Sequence, residues 1–85
     1  MSTTAADAAR RAAGWAARAE DAHKQAEARR GRAHELESQR LSAAARGWRE
    51  QADDAEAQRV TAVAMATMWA AVTGALQGVE LGRRP

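Results

Sequence analysis

The sequence predicts an all-α protein, and three observations carry that reading. Alanine is by far the commonest residue, and it heads the helix-propensity ranking because it has almost no side-chain entropy to lose. Ile, Phe and Tyr are absent, so the chain cannot build a wide interlocking core and suits long helices whose backbones approach closely instead. Small residues recur in alternating steps of three and four, the period of a helix face that packs on another helix. The expected architecture is a long antiparallel helical hairpin assembling as a homo-oligomeric helical bundle. One nearly continuous long helix is the alternative, because turn chemistry is scarce: the chain has no Asn, and Pro85 is its only proline.

The first helix is expected over about 5–41. Thr4 followed three residues later by Asp7 has the spacing of a capping box and stands directly before an Ala-rich run. Ala5, Ala9, Ala12, Ala16, Ala19, His23 and Ala26 then mark a seam of small residues. On the outer side, Asp7 precedes Arg11 by four and Glu20 precedes Lys24 by four, the orientation that supports an exposed helix. Between His23 and Arg40 the apolar residues thin to Ala26, Ala28, Ala33 and Leu36, with Gly31 among them, so this part cannot bury a broad face.

The second helix is expected over about 48–80. Its seam reads Leu41, Ala45, Trp48, Ala52, Ala55, Arg59, Ala62, Ala66, Trp69, Thr73 and Leu76. Joining this seam to the first requires four extra residues, a stutter, and a break at 42–47 accounts for both that phase change and Gly47. Gly82 followed by Arg83, Arg84 and Pro85 reads as a helix stop with cations at the negative end of the helix dipole. The whole chain, 1–85, forms one domain.

Eighty-five residues support only a small core, and oligomerisation commonly supplements one of this size. The net charge is +2, from twelve arginines and one lysine against eleven acidic residues. With no cysteine, disulfides and thiolate metal sites are excluded. Residues 1–9 lack a basic leader, and Asp7, Arg10 and Arg11 interrupt any apolar leader core, so a cytoplasmic location is expected.

The most unusual segment is 60–79, VTAVAMATMWAAVTGALQGV, which has no charged residue. Its length suits a bilayer, and Arg59, Arg83 and Arg84 flank it. Ala62, Ala66, Ala70, Gly74 and Gly78 form a ladder of small residues at four-residue spacing. Only Val60, Val63, Val72, Leu76 and Val79 insert strongly, however, for roughly 1.5 to 3 kcal/mol together. Thr61, Thr67, Thr73 and Gln77 oppose insertion, and Trp69 sits at the centre of the run rather than at an interface. The sequence therefore favours a soluble helix face. The predicted interface comprises Val60, Ala62, Val63, Met65, Ala66, Met68, Trp69, Ala70, Val72, Gly74, Leu76 and Gly78. The expected function is non-enzymatic interaction or assembly, with a second copy of the chain as the first expected partner and another protein as a further one. The main alternative is a small inner-membrane protein anchored by 60–79.

Catalytic and ligand chemistry is sparse. Glu20 and His23 have the E-x-x-H spacing of di-iron carboxylate bundles, and Glu27 adds a third ligand type on that face. The motif occurs once, without the second set such a centre needs, so no metal and no cofactor is expected. His34 lies eleven residues beyond His23, about 16 Å along a helix, too far to share an ion. Ser2, Ser38 and Ser42 have no matched base and fit cap or turn roles. Arg29, Arg30 and Arg32 raise a nucleic-acid reading, but Glu27, Glu35 and Glu37 neutralise them locally and no stacking aromatic accompanies them. The tryptophans Trp15 and Trp69 are expected to pack into small residues, Trp69 beside Ala16 and Ala19, while Trp48 doubles as a candidate partner contact.

Overall fold

A computed structural model describes residues 3–83. Within them are two helices, α1 over Ala5–Ser38 and α2 over Ser42–Gly82, packed against each other as an antiparallel hairpin. The molecule measures 70 × 17 × 13 Å, two helices wide and one deep. The all-α hairpin expected from the sequence is thus the fold, and the single continuous helix is not.

Helix α1 begins as its sequence dictates. The Thr4 hydroxyl accepts a hydrogen bond from the Asp7 amide at 3.1 Å, while the Asp7 carboxylate accepts from the Thr4 amide and hydroxyl at 3.3 and 2.9 Å. Donors at the helix start that would otherwise lack partners are satisfied reciprocally. The Ala5 amide donates to Glu80 Oε1 at 3.0 Å, so the far end of α2 also caps α1 and ties the two ends of the chain together.

The turn occupies 39–41, ahead of the 42–47 segment where the sequence reading placed it. Its geometry explains why the usual punctuation is missing. Arg40 adopts φ 62, the Leu41 amide donates to the Leu36 carbonyl at 2.9 Å, and the Arg40 amide donates to the Glu37 carbonyl at 2.9 Å. This pair of bonds is a Schellman motif, closed here by arginine in the left-handed position that glycine normally fills. Leu41 then serves at once as the N-cap of α2, with no side-chain cap bond. Gly47, read from the sequence as part of the break, lies inside α2.

Burial follows an alternation of three and four on both helices, with Asp7, Gly47, Glu56, Met65 and Val72 half-buried beside it. In α1 the buried and half-buried positions include Ala5, Ala8, Ala12, Trp15, Ala19, Ala22, Ala26, Arg29, Ala33 and Leu36. In α2 they include Ala45, Trp48, Ala52, Ala55, Arg59, Ala62, Ala66, Trp69, Thr73 and Leu76. The α2 seam follows the sequence reading from Ala45 onward, whereas Leu41 is exposed in the turn. The α1 seam differs: Ala9, Ala16 and His23 are exposed, and Ala8, Trp15 and Ala22 take their places. Both sets are Ala-rich, but only the second brings Trp15 and Leu36 against α2 and leaves His23 in water.

Among the described residues, every buried hydrophobic one apart from Leu36 is an alanine. Alanine methyls let the helix backbones approach closely, yet each contributes only about 0.8 kcal/mol of transfer free energy on burial. Among the described residues no large side chain is completely enclosed.

The left-handed Arg40 generates the first prediction. A non-glycine residue there costs about 1–2 kcal/mol, so Arg40→Gly is expected to raise the unfolding free energy by about 1 kcal/mol in urea melts followed by circular dichroism. No change, or a loss, would show that the turn does not close through this conformation.

Candidate interaction surface

The helix periodicity that turns one seam of α2 toward α1 turns another toward solvent. Ala57, Val60, Ala64, Thr67, Ala71, Gly74, Gly78 and Leu81 also alternate in steps of three and four, and all are exposed. None is charged. Val63, Met68 and Val79 flank them and stay similarly open, with Val60 56%, Val63 43% and Met68 44% exposed. The corresponding outward positions elsewhere carry charge at Arg46, Glu50 and Asp53 earlier in α2 and at Arg10, Glu20, Lys24 and Glu27 on α1, where Ala13, Ala17 and Gly31 are interspersed. The hairpin therefore has one outer face that is polar along α1 and one that is apolar along the second half of α2.

The twelve predicted interface residues divide between these two sides. Ala62 is buried and Met65, Ala66, Trp69, Val72 and Leu76 are half-buried within the hairpin, whereas Val60, Val63, Met68, Ala70, Gly74 and Gly78 are exposed. The four-residue ladder cannot be one straight stripe, because each step of four advances about 40° around a helix. Its Ala62 end faces α1 and its Gly78 end faces outward. A Cβ added at Gly74 or Gly78 would meet nothing within 4 Å, so neither glycine is required for contact with α1. The exposed seam also holds Ala57, Ala64, Thr67, Ala71 and Leu81, which the sequence reading did not count in the interface; their signal is a second alternation of three and four, offset from the Ala62 seam.

Two tryptophans line the sides of the hairpin under arginine lids. The Arg18 guanidinium lies 4.5 Å from the centre of the Trp15 ring, and Arg11 of α1 lies 4.8 Å from that of Trp69 on α2. Such contacts contribute about 0.5–1 kcal/mol at exposed sites. Trp69 shares a groove with Arg11, Gly14, Trp15 and Met65, rather than lying beside Ala16 and Ala19. The earlier turn accounts for this, since moving its centre by about one helical turn slides α2 past α1 by about two. A wider open groove of about 560 Å³ runs beside Trp15, Arg18, Asp21, Gln25, Gln58 and Thr61. It holds no nucleophile paired with a base.

The turn-proximal half is organised by charge. Arg30 lies 3.7 Å from both Glu27 and Glu56, Arg32 is 3.0 Å from Glu35, Arg49 pairs with Glu37 across the hairpin, and the Arg29 guanidinium donates to the Gln51 carbonyl at 3.2 Å. The arginine cluster read from the sequence is thus engaged with the protein's own acceptors. Glu20, His23 and Glu27 are all exposed. Among the described residues, no three His, Asp or Glu side chains converge in a way that could hold a metal ion.

Hydrogen bonds depress two carboxyls. The side chain and amide of Thr4, then the charge of Arg10, hold Asp7 below its ordinary range. The Arg59 side-chain hydrogen bond at 2.9 Å does the same for Glu56, with the charges of Arg59, Arg30 and His23 adding to it. Each carboxylate stabilises the fold above its unfolded pKa and loses that contribution as pH falls through its depressed folded value. Stability in urea is therefore expected to decline as pH is lowered below about 4, and Glu56→Gln to flatten that decline. An unaltered acid profile in the variant would remove Glu56 from this role.

No protein-family model, no curated protein and no solved structure matches the chain.

Proposed function

We propose that this is a cytoplasmic, non-enzymatic helical assembly protein that works as a short antiparallel coiled coil and presents the outer face of α2, about residues 57–81, to a protein partner. The observation that carries this reading is the uncharged, uncovered outer seam, set on a hairpin whose other long face is charged. The small residues of the seam permit close helix–helix approach, and Val60, Val63, Met68 and Val79 supply apolar area. The alternation of three and four on both helices supports the coiled-coil description.

A bilayer is the other medium that suits such a face, and α2 is long and apolar enough to cross one. The hairpin opposes that use. Helix α1 lies along α2, and Ala5 is tied to Glu80, so spanning by α2 would carry the charged first half of α1 to membrane depth. That half includes Arg10, Arg11, Arg18, Glu20 and Asp21. Each charged residue at the centre of a spanning helix costs about 2.5–3.5 kcal/mol, so two of them outweigh everything the valines and leucine of 60–79 gain. Spanning would require α1 to leave α2.

Fractionation separates the two readings. Expressed without detergent, the protein is expected in the high-speed supernatant with the circular dichroism of a nearly all-helical chain. Recovery only in detergent would overturn the assembly reading in favour of the anchor.

A further inference from the structure

We propose that the partner on the outer face of α2 is a second copy of the same chain, packed antiparallel about a two-fold axis passing close to Ala71. This rests on the assignment of that face as the assembly surface and names its occupant.

The first argument is area. A compact monomer of 9.1 kDa exposes about 4,900 Å², whereas this hairpin exposes 6160 Å². The surplus of about 1,300 Å² exceeds the roughly 800 Å² per partner that a standard interface buries. Much of the open apolar surface lies on one helix, and the hairpin's own core consists of alanines and Leu36. A second copy covers the face and thickens the core in one step, as expected for so small a domain.

The second argument is complementarity of the face with itself. An isologous contact places each residue against a different residue of the same strip, except at the axis. With the axis at Ala71, the alanine methyls of the two copies meet, Val60 falls at the level of the partner's Gly82 beside its Leu81, and Met68 lies over the partner's Gly74. Large side chains then fill the space above small ones. A parallel arrangement would set Met68 on Met68 and Gly74 on Gly74, crowding one level and leaving the other empty. The absence of any group within 4 Å of a Cβ built at Gly74 supplies the space that Met68 of the other copy requires.

Single cysteines read the geometry directly, because the chain has none of its own. In the full-length protein, Ala71→Cys is expected to form a disulfide-linked dimer under mild oxidation. Ala64→Cys and Gly78→Cys should link to each other when mixed, and each only weakly to itself. The reduced Ala71→Cys protein should match wild-type helicity, since position 71 is exposed within the hairpin. Linking of Gly78→Cys to itself in preference to Ala71→Cys would overturn the antiparallel geometry. A wild-type monomer by sedimentation that does not float with phosphatidylcholine vesicles would overturn the second copy and leave the face to a different protein. A monomer that floats with those vesicles would overturn both the second copy and the assembly reading beneath it.

Discussion

The structure depends on what an alanine seam provides and what it withholds. A methyl at each seam position lets two helices run side by side over tens of ångströms with little steric conflict. The same methyls remove little apolar surface from water, about 0.8 kcal/mol apiece, against an entropy cost of about 1–2 kcal/mol for fixing each residue's backbone. A hairpin closed only by such a seam is narrow, long and poorly supplied with hydrophobic stabilisation. Its other features answer that shortage or reflect it: helix propensity, caps at the ends, ion pairs beside the seam and an apolar face left exposed.

Those responses are distributed unequally. Near the turn, Arg30, Arg49, Arg59 and their glutamates bracket the seam with surface pairs, each contributing about 0–1 kcal/mol and screened by salt. Toward the open end, Trp15 and Trp69 take over, each beneath an arginine of α1. There α2 becomes uncharged on every side from Val60 to Val79. One half of the molecule is closed by its own charge pairs; the other half leaves Val60, Val63, Met68 and Val79 exposed. The proposed assembly role draws on this division, in which an exposed uncharged strip on α2 stands beside a charged α1.

The sequence disclosed the parts of the fold that rest on local chemistry. The Thr4–Asp7 box was legible because both partners lie within one helical turn, and the α2 seam because Trp48, Trp69 and Leu76 mark its phase. The turn was hidden because its left-handed position holds Arg40 instead of Gly or Asn, while Gly47, the attractive signal nearby, sits in a helix. The phase of α1 was ambiguous because alanines occupy both competing sets, and only Trp15 and Leu36 distinguish them. The exposed apolar strip was half legible: the charge-free run marked its place, but a ladder at four-residue spacing winds around the helix, so exposed and enclosed residues were read as one stripe.

Small-angle X-ray scattering of the intact protein without detergent tests the central claim most directly. Two hairpins overlapping antiparallel through the last turns of α2 form a rod about 100 Å long. The hairpin alone measures 70 Å. A maximum dimension near 100 Å with the forward scattering of two chains is the predicted result, and one near 70 Å with the forward scattering of a single chain would contradict it.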